Sequence, residues 1–385
     1  IDRGLVGSEM CIRDRDAAIH SIRNLMQLEK NSKIPVSLIG SIKMGTTVAT
    51  NALLERKGEP VGLITNNGYA DSLEIGFQAR PSLFAREIKK PDLLYKRVVE
   101  LDVRVDSKGN ELSYLNKKET REKLQHLFDA GIRSIAVVFM HSYKFPKHEK
   151  QVGRIAKKIG FKQISLSHEV SPLVKFISRG DTTVTDAYLS PLLHRYVEQI
   201  RSVFDDNLNQ LNLLFMTSSG GLTSANLFRG KDAILSGPAG GIIGAIKTSE
   251  YSGAKKIITF DMGGTSTDVA HYSGIIEKEF ETEIAGIRMR VPMLKINTVA
   301  AGGGSILHFD GERFQVGPLS AGANPGPACY DMGGPLTVTD ANLILGRLQP
   351  KYFPKLFGPN GQNALNTSIA FSKMNEIAND TGKSA

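Results

Sequence analysis

The sequence predicts an α/β fold built of packed layers, and three observations predict it. Strand-length apolar runs alternate with helix-patterned stretches through the first half of the chain. In the second half, glycine-rich loops begin where apolar strands end. No stretch has the spacing of a solenoid repeat or the length of a membrane helix.

The regular pattern starts after Asp16 with a helical stretch at residues 17–28 and a strand at 35–39. A Gly-Thr-Thr turn (Gly45, Thr46, Thr47) then opens a helix through Leu54, with the threonine hydroxyls placed to cap its start and Gly58 to close it. Strands follow at residues 61–65 and 97–105, then a helix at 118–130, a strand at 134–140, a helix at 147–159 and a strand at 164–166. A long amphipathic helix is expected over residues 183–203. The polar stretch FDDNLNQ beyond it marks a domain boundary, separating residues 16–205 from residues 206–385. Past the boundary, a strand at 213–216 leads to Ser218, Ser219, Gly220 and Gly221. SGPAGG (236–241), a strand at 256–260, DMGGTSTD (261–268), a return strand to Tyr272 and AAGGGS (300–305) come next. The chain finishes with a helical stretch at 368–379 and a polar tail, which do not read as the closing elements of a domain. Residues 1–15 follow neither period. Their GLVGSEMCIRDR portion resembles a translated sequencing-adapter tail, so they are expected to be non-native and are set aside from fold reasoning, Cys11 included.

Composition excludes several classes. The net charge of +9 invites a nucleic-acid reading, but the lysines are interleaved with acidic residues and no basic run or zinc-finger spacing occurs. No nucleic-acid partner and no membrane partner are expected. Cys11 and Cys329, the two cysteines, cannot build a disulfide framework, which favours a reducing, cytoplasmic setting.

The chemistry concentrates in the glycine loops. In IITFDMGGTSTDV (257–269) an apolar strand runs into Asp261, two glycines, three hydroxyl residues, Asp268 and a second apolar strand. That order describes a tight β-hairpin with a nearly bare tip. Gly263 and Gly264 remove the Cβ atoms that would hold a phosphate away, so successive N–H groups can form an anion-binding concavity. Thr265, Ser266 and Thr267 add hydroxyl donors. Asp261 would repel a bare phosphate and makes sense as the carboxylate orienting Mg²⁺. The pattern is neither a P-loop nor a dinucleotide fingerprint. Gly302, Gly303, Gly304 and Ser305 form a second loop open to a ligand, against the plainer reading of a turn. Ser236, Gly237, Gly240 and Gly241 precede an apolar helix at residues 242–246, where free amides would offer an anion site, against the reading of close helix packing. His141, His148 and His168 lack metal-ligand spacing, Cys329 reads as a buried small hydrophobe, and Ser236 lacks a nucleophile elbow.

These motifs carry a resemblance. MGTTVATNALLERKGE (44–59), SGPAGG (236–241), DMGGTSTD (261–268), NTVAAGGGS (297–305), SAGANPGPACY (320–330) and TVTDANLILGRL (337–348) resemble the hydantoinase A/oxoprolinase family. SIKMG (41–45), RSIAVVFMHSY (133–143) and residues 353–359 look most like its ATP-dependent 5-oxoprolinases. The resemblance implies an actin-like ATPase fold of two lobes, MgATP, and opening of the 5-oxo-L-proline lactam to L-glutamate through phosphorylation of the carbonyl. It implies that Asp261 and Asp268 are catalytic, that the hairpin and the 302–305 loop hold the nucleotide, and that Thr46, Thr47 and Asn51 face the substrate. A small cyclic amide, a hydantoinase B-like half (fused or separate) and a second copy of the chain are the partners it implies.

Two departures qualify that picture. The family's first phosphate hairpin, of Asp-x-Gly-Gly-Thr-Phe-Thr-Asp type, is missing upstream of the Gly-Thr-Thr helix, as is the hydantoinase B-like half. The chain by itself is therefore expected to be an inactive fragment. Rival readings are an ATP-dependent hydantoinase, a ketone carboxylase subunit, and a non-catalytic nucleotide switch on the same fold.

Overall fold

The computed structural model describes residues 17–29, 32–77, 84, 86–87, 90, 92–205 and 211–384; residues 1–15 and most of the polar linker lie outside this set. Two compact units result. One comprises Lys33–Gly244 and Ile276–Lys295, the other Ala245–Ile275 and Ile296–Ala385 with the described part of Ile1–Ser32, which holds helix α1 (Ala17–Leu25).

The first unit opens with strand β1 (Ile42–Met44) and helix α2 (Val48–Leu54). Its centre is a parallel sheet of β2 (Val61–Asn66), β3 (Tyr95–Leu101), β4 (Ser134–Val138) and β5 (Gln163–Leu166), in the order β3-β2-β4-β5. Every residue of β2 and β4 is buried, as a sheet covered on both faces requires. Ile135, Val137 and Phe139 join Leu124 and Leu127 of helix α3 (Lys117–Asp129), and Val152 and Ala156 of helix α4 (Lys147–Ile159), in one core. Ser134 serves the other face, its hydroxyl donating to the Ala187 carbonyl (2.6 Å) in helix α5 (Phe176–Arg201).

Helix α5 begins seven residues before its expected start at Thr183. The added stretch carries Ser178, Arg179 and Thr182, all buried, so no amphipathic stripe betrays it. The Thr182 and Thr183 hydroxyls donate to the carbonyls of Ser178 and Arg179, which lets polar residues run through the interior. Two further expectations fail nearby. Residues 35–39 are not a strand: Val36–Leu38 is a 3₁₀ turn following Pro35, and the strand comes later as β1, paired in parallel with β6 (Leu213–Met216). Nor does Gly58 close α2, which ends at Leu54 with Glu55 as its C-cap; a Cβ at Gly58 would run into the Tyr188 ring, so packing selects that glycine. Strand β7 (Leu222–Ser224) pairs with β6, and helix α6 (Ser236–Tyr251) follows.

Beyond β4 and β5 lies a buried polar cluster. Glu149 accepts from the Phe139 amide (3.0 Å), the Ser167 hydroxyl (2.6 Å), and the amide and Nδ1 of His168 (3.0 and 2.6 Å). Arg179 donates to the Phe139 carbonyl (2.6 Å) and the Ser167 hydroxyl (3.0 Å). All four groups facing Glu149 are donors, so Glu149→Gln turns an amide N–H₂ against two of them. The expected cost is about 3 kcal/mol in urea unfolding. A change below about 0.5 kcal/mol would show that the cluster contributes little.

Asp181 of α5 sits 3.2 Å from Arg288 and is nonetheless pushed up to about 7, because burial outweighs the guanidinium. The folded protein therefore binds this proton where the unfolded chain has lost it. Stability contributed here is full below the ordinary carboxylate range and falls as pH rises from about 4 to about 7. Asp181→Asn should flatten that part of the stability–pH curve, and an unchanged slope would refute the assignment.

The second unit contains an antiparallel sheet of β8 (Ile257–Met262), β9 (Thr267–Tyr272) and β10 (Asn297–Val299), in that order. Ile258, Phe260, Met262 and Val299 are exposed on one of its faces. A ribbon of β11 (Ser305–Phe309) and β12 (Phe314–Ser320) follows. Helices α7 (Val338–Ile344) and α8 (Thr367–Thr381) pack around Cys329, Tyr330, Phe357 and Leu365.

Candidate functional site

Strands β8 and β9 form the expected hairpin, in register from Ile257 opposite Tyr272 to Met262 opposite Thr267. Its four-residue tip is closed by the Gly263 amide donating to the Ser266 carbonyl (2.9 Å). The next three amides, of Gly264, Thr265 and Ser266, have no hydrogen-bond partner among the described residues. Unpaired consecutive N–H groups following two glycines are the kind of backbone that can receive an anion's oxygens.

Asp261 stands directly opposite Asp268 in the ladder, which places both carboxylates on one face of the sheet. Like charges so placed repel unless a cation joins them. Thr298, opposite Asp268 on β10, donates its hydroxyl to Asp268 (2.6 Å), while Asp261 is exposed and free of hydrogen-bond or ion-pair partners among the described residues. Those residues include no cluster of three or more His, Cys, Asp or Glu able to hold a metal by themselves. Two carboxylates beside unpaired amides are a donor set that would suit Mg²⁺, which takes one or two protein carboxylates and fills its shell with water and ligand oxygens.

The 302–305 loop is in contact with the hairpin, but its amides are already occupied. Gly303 donates to the Gly263 carbonyl (2.9 Å), Gly304 to the Gly264 carbonyl (2.6 Å), Gly302 to the Ser305 hydroxyl (2.9 Å) and Ser305 to the Gly302 carbonyl (3.0 Å). A Cβ at Gly302 would lie 2.6 Å from the Gly264 carbonyl carbon, and one at Gly304 2.9 Å from the Gly264 oxygen. The run of glycines thus answers to the close approach of two backbones. Thr267, expected to offer a hydroxyl donor to a ligand, is buried and donates to the Ala301 carbonyl (2.5 Å).

In the first unit, the Gly-Thr-Thr turn meets the start of α6. Ser236 donates its hydroxyl to the Met216 carbonyl (2.6 Å) and accepts from the Thr46 amide (3.3 Å). A Cβ at Gly45 would stand 3.2 Å from the Ser236 carbonyl oxygen, and one at Gly237 3.0 Å from the Thr47 methyl. Thr46 caps α2 by accepting from the Val48 amide (3.2 Å); Thr47, at the N-cap position, makes no side-chain cap. Helix α6 starts at Ser236 itself, ahead of the expected residue 242. In its first turn Ser236 and Ala239 already donate to Ala233 and Leu235, and Pro238 has no N–H, which leaves the Gly237 amide without a partner among the described residues. Gly240 lies 3.9 Å from Met216 by its would-be Cβ, while Gly241 and Asn51 are exposed. Thr46, Thr47, Ser236 and Gly237 form one contact, in a different unit from the hairpin.

Sequence reasoning missed Thr298, Thr339 and Asp340. Asp340 belongs with Thr337 to a Thr-x-x-Asp capping box, a signature that was open to reading. His148 and His168 are tied to Glu111 and Glu149, and burial next to Asp340 pushes the Cys329 thiol well above its usual range, in keeping with structural roles.

The sequence model of the hydantoinase/oxoprolinase N-terminal region matches residues 4–160, and that of hydantoinase/oxoprolinase matches residues 179–385. The chain belongs to the hydantoinase/oxoprolinase family. The first match begins inside the segment set aside as adapter-like. A 5-oxoprolinase of Dictyostelium discoideum is 45% identical over 410 residues, covering 94% of this chain and 32% of that protein. The chain therefore spans about a third of that relative's length. Among solved structures, the ATP-dependent caprolactamase from Pseudomonas jessenii matches with a TM-score of 0.73 and 31% identity, covering 97% of this chain and 54% of that one. A nucleotide-free acetone carboxylase matches with a TM-score of 0.71 and 26% identity, covering 90% of this chain and 51% of that one. The fold is of the actin-like ATPase type expected from the motifs. Among the described residues no helix is long and apolar enough to cross a membrane.

Proposed function

We propose that this chain is part of the nucleotide-binding half of an ATP-dependent 5-oxoprolinase. The observation that carries the reading is the hairpin tip, with three consecutive unpartnered amides beside the Asp261–Asp268 pair. Its amides would hold the terminal phosphate of ATP, and Asp261, beside Asp268, would hold the Mg²⁺. When bound, MgATP would supply a phosphoryl group to the lactam carbonyl oxygen and so open its carbon to water; the ring C–N bond would then break with the nitrogen taking a proton, and a second water would free the phosphate, leaving glutamate, ADP and phosphate. The protein's share is positioning and charge stabilisation, which a rigid backbone cradle and a metal-holding carboxylate provide. Relatives at this level of identity that bear the name 5-oxoprolinase favour that lactam over others.

A hydantoinase B-like half, fused or separate, would complete the enzyme, and the chain alone is expected not to turn over. We further assign Thr46, Thr47 and Asn51 to the substrate side, and the assembled enzyme to the cytoplasm as a homo-oligomer. The test is ADP release by the enzyme completed with the remaining length of its relatives, offered MgATP and one compound at a time. Release with 5-oxoproline and none with hydantoin, caprolactam or acetone plus bicarbonate is expected. Release with one of the others alone would reassign the substrate, and release with no second compound would mark a nucleotide switch.

A further inference from the structure

The first half of the hairpin tip has no side chains to fix its shape, and neither does the loop that props it. Residues 263–264 and 302–304 are all glycine. Glycine gains the most freedom on release, so a cradle made this way must be held from outside. The two bonds from Gly303 and Gly304 to the hairpin carbonyls set the tip, provided the 302–304 backbone is itself held. The Ala321 amide holds one end of that loop by donating to the Gly304 carbonyl (2.8 Å). Its middle is held by one residue. The Gly303 carbonyl accepts both the amide of Thr339 (2.8 Å) and its hydroxyl (2.9 Å).

We propose that Thr339 is a positioning residue for the phosphate hairpin, acting through Gly303. It lies in the first turn of α7, where a helix has N–H groups without intrahelical partners, and the Gly303 carbonyl takes one of them. The hydroxyl supplies the second bond, so the carbonyl is gripped from two directions. Thr339 is itself immobilised: it is buried, β-branched, and next to Asp340, which is fully buried. Asp340 accepts from the amides of Ala328 (3.1 Å), Cys329 (2.7 Å) and Thr337 (2.8 Å) and from the Thr337 hydroxyl (2.8 Å). These bonds tie the start of α7 to the segment before it. The line of support runs from Asp340 through Thr339 and Gly303 to the carbonyls of Gly263 and Gly264, behind the three free amides. Thr339 is buried, and its hydroxyl is spent on the Gly303 carbonyl.

The inference rests on the hairpin being a phosphate cradle, and its test separates the two. Amide hydrogen exchange is measured on the chain without nucleotide, for wild type, Thr339→Val and Thr339→Ser. Valine keeps the shape and the main-chain bond but loses the hydroxyl; serine keeps both bonds. Exchange at Gly303 and Gly304 should quicken about tenfold in the valine variant and return to near wild type in the serine variant. Unchanged exchange at these amides, or an equal rise throughout the second unit, would overturn the brace. In the completed enzyme, Thr339→Val should raise the KM for MgATP about tenfold with the lactam KM unchanged, and Thr339→Ser should restore it. Equal MgATP KM values in wild type and the valine variant would overturn the positioning role. An enzyme that ignores MgATP would sink the phosphate reading, while the exchange comparison still decides the brace.

Discussion

Asp261→Asn in the completed enzyme is expected to lower kcat for 5-oxoproline-dependent ADP release by about a hundred- to a thousandfold. Asn keeps the size and strand position of the side chain and removes the charge that faces a divalent cation. Asp261 is exposed and its carboxylate has no hydrogen-bond or ion-pair partner among the described residues, so the fold should not register the change. The melting temperature of the nucleotide-free protein should stay within a degree or two of wild type. It could even rise, since a like-charged neighbour of Asp268 is neutralised. A large loss of stability with a proportionate loss of activity would instead make Asp261 a structural residue. Asp268→Asn should be milder on the metal and harder on the fold, because Asp268 also anchors Thr298.

Gly302→Ala is expected to have the largest effect on the architecture of the site. The new methyl would lie 2.6 Å from both the carbon and the oxygen of the Gly264 carbonyl and 2.7 Å from the Thr265 amide nitrogen. Those neighbours are backbone, which cannot rotate aside as a side chain does. The two loops must separate, at a cost of about 3 kcal/mol and with the Gly303 and Gly304 bonds weakened together. Thermal unfolding should show a clear loss, and the KM for MgATP should rise along with it. Gly244→Ala is the matched control: it lies in α6 with open space around its would-be Cβ, and should gain about 0.5–1 kcal/mol. Equal effects of the two substitutions would mean that the close approach of the loops does not matter.

The sequence was most legible where one physical requirement acts alone. Helix Lys147–Ile159 and strand Leu213–Met216 fall where periodicity puts them, since each has one clear pattern and ordinary boundaries. The hairpin was legible too, because a strand–Asp–Gly–Gly–hydroxyl–Asp–strand order has few other shapes open to it. Helix α5 was cut short because Ser178, Arg179 and Thr182 are buried through bonds that no periodicity displays. The 35–39 stretch misled because an apolar run after a proline satisfies a turn as well as a strand.

At the site, the sequence located the glycines but not the reason for them. A glycine that admits a ligand and one that admits a second backbone look the same in a string of letters. Gly302 and Gly304 prove to be of the second kind, and Gly45 and Gly237 likewise face backbone or a threonine methyl. Thr339 went unnoticed for the opposite reason, being a common residue whose importance depends on a carbonyl 36 positions away.

The central claim is that the tip of the β8–β9 hairpin holds the phosphates of ATP through its backbone. The most direct measurement is amide exchange across residues 261–268 in the completed enzyme, with MgATP and with Mg²⁺ plus adenosine. Marked protection of Gly264, Thr265 and Ser266 by MgATP, absent with adenosine, is the predicted result. Saturating MgATP that leaves these three amides exchanging as fast as before would contradict it.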